Sequence, residues 1–154
     1  MNIKKLLISL LIPLFIGYFG SIFTISQIPT WYLGINKPEL LPPNGIFGPV
    51  WTILYILMGV SLYFVWTAKT KKSKKVAFSV FGIQLVLNLL WSIIFFNYHW
   101  LFLAVIEILL LWVMILVNIV KFRVISEKAS WLLYPYLIWV TFASYLTISV
   151  WLLN

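Results

Sequence analysis

The sequence predicts an all-α membrane protein, a five-transmembrane-helix bundle with an ordered external loop between helices 1 and 2. Three observations carry this prediction. Of 154 residues, 64% are hydrophobic and only 9% charged, with mean hydropathy +1.07, more apolar surface than a soluble domain of that length can cover. Five windows are long enough to cross a hydrocarbon core of roughly 30 Å, which takes about 20 helical residues. And one long segment, Trp31 to Trp51, cannot be a membrane helix, because it holds Pro38, Pro42, Pro43 and Pro49 with Gly34, Gly45 and Gly48 between them.

Taken in order, the spans lie near residues 6–26, 46–68, 76–98, 100–120 and 129–153. They are too long and too uniformly apolar for alternating barrel strands. The first follows Lys4 and Lys5 as a signal peptide would, but no small-residue cleavage pattern comes after it, so it reads as a retained helix. The second has Pro49 in its first turn, where a missing N–H costs little. Pro13 in the first span and Pro135 in the fifth each predict a bend. Only a few residues around His99 separate the third and fourth spans, which makes those helices antiparallel neighbours. With no internal repeat and no low-complexity tail, residues 1–154 read as one domain.

Charge predicts the orientation. Lys4, Lys5, Lys69, Lys71, Lys72, Lys74, Lys75, Lys121, Arg123 and Lys128 fall on one side of a five-span chain, and Lys37 alone falls on the other. This positive-inside pattern puts the N-terminus in the cytoplasm and the 27–45 loop and C-terminus outside, in a multi-pass cell-membrane protein. The net charge of +8 is therefore a topology signal rather than a nucleic-acid footprint, and contact with anionic lipid headgroups is its secondary role. There is no cysteine and one histidine, so cysteine chemistry and multi-histidine metal sites are excluded, and no cofactor or metal is expected.

Candidate site residues come from polar and aromatic groups inside the spans. Gln84, Asn88 and Ser92 recur every fourth residue and share one helix face, with Trp91 beside it. At 1.5 Å rise per residue, Asn88 lies roughly 15 Å and Glu107 roughly 10 Å from the external end. Glu107 is the one ionisable residue inside a span, either a functional carboxyl or a protonated one hydrogen-bonded across helices. Trp51 and Tyr55 are one turn apart, as are Trp139 and Ala143, where a small residue beside a large ring leaves room for a flat ligand. Trp91, Trp112 and Trp139 lie well inside their spans, where a buried indole N–H must face another helix or a cavity. Gly17, Gly20 and Gly82 permit close helix approach without locating a dimer interface. Together these residues suggest an aromatic-lined small-molecule pocket with a few polar anchors.

The run Trp31-Tyr32, Lys37-Pro38, Pro42-Pro43, Phe47-Gly48-Pro49-Val50-Trp51-Thr52, Tyr55 and Met58-Gly59 resembles the translocator protein family, which includes the bacterial tryptophan-rich sensory proteins and the mitochondrial peripheral benzodiazepine receptor. Gln84, Leu87-Asn88, Trp91-Ser92, Phe95-Phe96, Leu132-Leu133, Pro135-Tyr136 and Trp139 continue the match over nearly the whole chain. The resemblance implies a homodimer with a cavity under the first loop, binding porphyrins such as protoporphyrin IX and benzodiazepine or isoquinoline-type ligands. The positions it implies as ligand contacts are Tyr32, Pro42, Trp51, Tyr55, Asn88, Trp91, Ser92, Trp139 and Ala143, with the loop as a lid hinged at Gly34, Gly45 and Gly48. Glu107 joins this set as a polar contact from its position in the span. Trp51 and Trp139 match the tryptophans tied to light-dependent porphyrin breakdown, which leaves a porphyrin-degrading enzyme as the alternative to a transport, sensing or regulatory protein. The family's sterol motif is missing, with Ile148 and Leu152 at its Tyr and basic positions, so sterol binding is not expected.

Overall fold

The computed structural model describes residues 2–154. Five helical stretches are long and apolar enough to cross a membrane: Ile3–Gln27, Asn44–Thr67, Lys75–Asn97, Leu101–Ile125 and Glu127–Leu153. They are built from α1 (Ile3–Gln27), α3 (Phe47–Thr67), α4 (Lys75–Ser92), α5 (Leu101–Ile125), α6 (Glu127–Trp131) and α7 (Tyr134–Leu153), with α2 (Trp31–Gly34) in the first loop. A 3₁₀ turn, Asn44–Ile46, leads into α3, and a π-helical turn, Ile93–Asn97, extends α4.

Two boundaries differ from the sequence expectation for identifiable reasons. Helix α5 runs on past Val120 to Ile125, because Lys121 and Arg123 can carry their charges out to the headgroup level on long apolar stems. The fifth span is not one bent helix. Proline at 135 removes a donor and crowds the carbonyl four residues back, at Trp131, and α6 ends at that residue. A turn at Leu132–Leu133 follows, and α7 restarts with Pro135 in its first turn, where no N–H is needed.

The first-span proline acts differently. Helix α1 continues through Pro13, which is buried. The missing N–H would have bonded the carbonyl of Ser9. That oxygen lies only 2.8 Å from where a Cβ on Gly59 of α3 would sit, and the Cα of Leu10 lies 2.7 Å from the same point. A side chain on α3 would be excluded here, so the two backbones meet directly. Higher on the same pair, Gly17 gives its space to the Tyr55 ring, and Gly20 gives its space to Ser92 on α4. These two glycines are therefore used inside the bundle, whereas Gly82 has open space around it on the outer face.

The helices form a ring in which α1 packs on α3 and α4, α4 on α5, and α5 on α7. At the lysine-bearing end α6 closes the ring against α3, where Ser61 Oγ donates to the Ala129 carbonyl at 2.7 Å. Toward the loop-bearing end α3 and α7 are bridged by aromatic rings. Below that gap the interior is filled by Met58, Phe81, Ile108, Ile115, Phe122, Leu133 and Val140. Above it a cavity opens.

Adding a methyl at the crossing tests its tightness. Gly59→Ala should lower stability by about 1–3 kcal/mol through overpacking, against a helix-propensity gain of about 1 kcal/mol that Gly82→Ala receives freely. Thermal unfolding in detergent measures both; a Gly59→Ala protein as stable as the parent would rule out a backbone-tight crossing.

Candidate functional site

The cavity has a volume of about 550 Å³, within the usual range for small-molecule sites of roughly 300–1,000 Å³. Helices α1, α3, α4 and α7 wall it, and the first loop covers it. From the predicted set, Tyr32, Trp51, Tyr55, Asn88, Trp91, Ser92, Trp139 and Ala143 all face this space. Pro42 and Glu107 do not reach its wall. Pro42 sits in the loop outside the cavity, half-buried. Glu107 is buried at 6% exposure within the bundle, and neither carboxyl oxygen has a hydrogen-bond partner among the described residues, so the cross-helix hydrogen bond considered from sequence is not formed.

The floor is polar and ties three helices together. The Tyr55 hydroxyl donates to Asn88 Oδ1 at 2.6 Å, and Asn88 Nδ2 donates to the Tyr136 hydroxyl at 3.0 Å. One amide thus links α3, α4 and α7. One turn below, Gln84 is fully buried, and its Nε2 lies 3.8 Å from the Met58 sulfur.

The walls are aromatic. Trp51 stacks on Tyr55 with centroids 5.6 Å apart and meets Tyr136 edge-on at 6.2 Å. Trp139 meets Phe47 edge-on at 5.8 Å, across the gap between α7 and α3. Trp91 stacks on Phe95 at 5.1 Å. The three deep tryptophans divide as their indoles require. Trp112 Nε1 donates to Thr141 at 2.8 Å, while the N–H groups of Trp91 and Trp139 are buried without an acceptor among the described residues. Both belong to cavity-lining residues. Among the described residues no charged side chain lines the cavity.

The roof is an ordered loop that includes one helical turn, α2. Helix α2 carries Tyr32 into the cavity, and burial pushes its phenol above the ordinary pKa, so it remains a hydrogen-bond donor. Lys37 Nζ caps this helix through the carbonyls of Leu33 and Ile35, at 3.2 and 3.0 Å, and lies 5.0 Å from the centre of the Tyr32 ring. Trp31 and Tyr32 pack on Phe95 and Phe96, with ring centroids 5.6–6.5 Å apart, and two further contacts fasten the lid. Trp31 stacks on His99, centroids 4.0 Å apart, at the tight turn where His99 takes a φ of 57°. Asn36 exchanges hydrogen bonds with the end of α7: its N–H reaches Asn154 Oδ1 at 2.9 Å, its amide reaches the Leu153 carbonyl at 3.1 Å, and Asn154 returns one at 3.0 Å. No glycine among the described residues has a positive φ, and Gly34 and Gly48 take helical conformations at the end of α2 and the start of α3.

Sequence reasoning did not single out Phe47, Phe96, Thr24, Leu146 or Thr147 as wall residues. A signal for α1 was available: Gly17, Gly20, Ser21 and Thr24 are small residues at helical spacing, and they form one side of the cavity. The Asn36–Asn154 tie had no local signal. The π-helical turn after Ser92 had none either, although it explains why the adjacent Phe95 and Phe96 both point inward, at 3% and 7% exposure, since a wider turn separates neighbouring side chains by a smaller angle.

Residues 9–152 match the TspO/MBR family. The chain is 44% identical to the tryptophan-rich protein TspO of Archaeoglobus fulgidus, over 100% of this chain and 99% of that one. It is 34% identical to protein CrtK of Rhodobacter capsulatus, over 90% of this chain and 85% of that one. It is 35% identical to the human translocator protein, over 87% of this chain and 80% of that one.

Replacing Asn154 tests the lid fastening. Asn154→Ala removes both bonds made by its side chain, from the Asn36 N–H to Oδ1 and from Nδ2 to the Asn36 carbonyl, and losing about 1.4 kcal/mol of hydrogen bonding should speed amide exchange across residues 31–46 roughly tenfold. Exchange by mass spectrometry would read this, and an unchanged rate would show that the contacts of Trp31 and Tyr32 hold the lid without this tie.

Proposed function

The chain belongs to the TspO/MBR family, and from that premise we propose that it binds porphyrins, with protoporphyrin IX as the type ligand, and benzodiazepine or isoquinoline-type molecules in the cavity beneath the 27–45 loop. It serves there as a tetrapyrrole transport, sensing or regulatory protein. The observation that supports this most is the wall itself: Trp51, Trp91 and Trp139 bring large rings to one uncharged space of about 550 Å³. A flat macrocycle gains stacking and dispersion on such walls. A porphyrin's carboxylates would not enter, because an unpaired charge in an uncharged cavity is too costly, so they project from the mouth. Tyr32, Tyr55, Asn88, Ser92 and Ala143 complete the proposed contact set.

In this reading the N-terminus and the lysine-rich loops face the cytoplasm, and the lid and C-terminus face outward across the cell membrane. The protein pairs as a homodimer.

Titration with protoporphyrin IX should quench tryptophan fluorescence saturably. Trp51→Phe with Trp139→Phe should weaken binding by about 1–3 kcal/mol in total, from lost stacking area. Unchanged affinity in the double variant would remove the stacking assignment. The second reading, light- and oxygen-dependent porphyrin breakdown, rests on Trp51 and Trp139 both facing the cavity. Under illumination, bound porphyrin should then lose absorbance faster than porphyrin free in detergent, and Trp139→Phe should remove the difference; equal rates would end that reading.

A further inference from the structure

Trp139 has two sides. One lines the cavity, and the other lines a shallower groove of about 350 Å³ on the outer surface between α3 and α7. Val50, Ile53 and Leu57 form the α3 side of this groove, and Pro135 and Ile138 form the α7 side. Every one of these side chains is apolar. The groove lies within two membrane-spanning stretches, and Ile53 and Ile138 at its edges are 57% and 69% exposed. Hydrocarbon is therefore its surroundings in a bilayer. A headed small molecule would want polar anchors to fix its orientation, and the groove supplies none. A flexible hydrocarbon chain needs only shape and dispersion contacts.

The ring between the two spaces is held by packing alone. Trp139 Nε1 is buried with no acceptor among the described residues. Phe47 and Phe142 touch it at 5.8 and 5.7 Å.

We propose that this groove binds one acyl chain of a bilayer lipid, which packs against the outer side of Trp139 while any cavity ligand meets the inner side. The tryptophan is then a shared wall, and whatever displaces it from one side is felt on the other.

The test needs no cavity ligand. The full chain is reconstituted in bilayers with and without bromine at mid-chain positions, bromine being a contact quencher of indole emission. Subtracting the emission of Trp139→Phe from that of the parent isolates the contribution of Trp139. Brominated chains should cause a loss of this contribution. Ile53→Phe, which fills the groove from an exposed position, should restore it while leaving quenching of the other tryptophans unchanged. Ile138→Phe fills the groove from the other helix and serves equally if the first variant does not fold. Trp139 emission that brominated lipid leaves untouched overturns the proposal. So does quenching that persists with the groove filled, since the chain would then be reaching Trp139 through the cavity.

Discussion

The amide of Asn88 is the tie on which the upper half of the bundle depends. In a bilayer, helices gain little by burying apolar surface against one another, because lipid is equally apolar. What fixes three helices around an open space must then be polar or very closely packed. Asn88 accepts from Tyr55 on α3 and donates to Tyr136 on α7, and its own position on α4 completes the triangle. Each such bond is worth only about 0.6–2 kcal/mol in a membrane. Direction matters more than magnitude here. Both phenols are buried and would otherwise be unpaired, so a single geometry of the three helices is selected. The cavity sits immediately above that geometry.

Close packing does the complementary work lower down. Pro13 frees a carbonyl on α1, and Gly59 leaves the space in which that carbonyl lies. Two residues usually regarded as helix breakers thus make a backbone-to-backbone helix contact. With α1 and α3 pinned there, and α6 closing the ring, the helices separate only toward the loop. The interior changes accordingly, from aliphatic packing around Ile108 and Ile115 to rings around an open volume.

Much of this was legible in the sequence, for physical reasons that particular residues show. Spans were readable because each crossing demands a long apolar run, and the break in the fifth was signalled by Pro135, though as a restart rather than a bend. The polar face Gln84–Asn88–Ser92 was readable because helical spacing alone puts those residues together, and Trp51 with Tyr55 was readable in the same way. Glu107 shows the limit. Its depth was deducible from rise per residue, but its rotation about α5 was not, and it points into the packed interior instead of the cavity. Pro42 shows another limit, since a loop's path depends on where it is fastened. The fastenings are long-range: Trp31 to His99 and Asn36 to Asn154. No local pattern announces such partners.

The Asn36–Asn154 tie also sets an order of assembly. Its partners are separated by 118 positions in the chain. Chains are made and inserted N-terminal end first, so the loop emerges with only α1 behind it, long before α7 exists to receive it. Until the final helix has crossed, the segment from 31 to 46 has no anchor at that end, and the space beneath it has no Trp139. Enclosure of the cavity is therefore a terminal event in biogenesis, and it doubles as a record that every helix has been inserted. A chain stalled after four crossings would present a three-sided cleft, its loop held only at the Trp31–His99 end, open to any apolar molecule in the bilayer and to the quality-control machinery that recognises such surfaces.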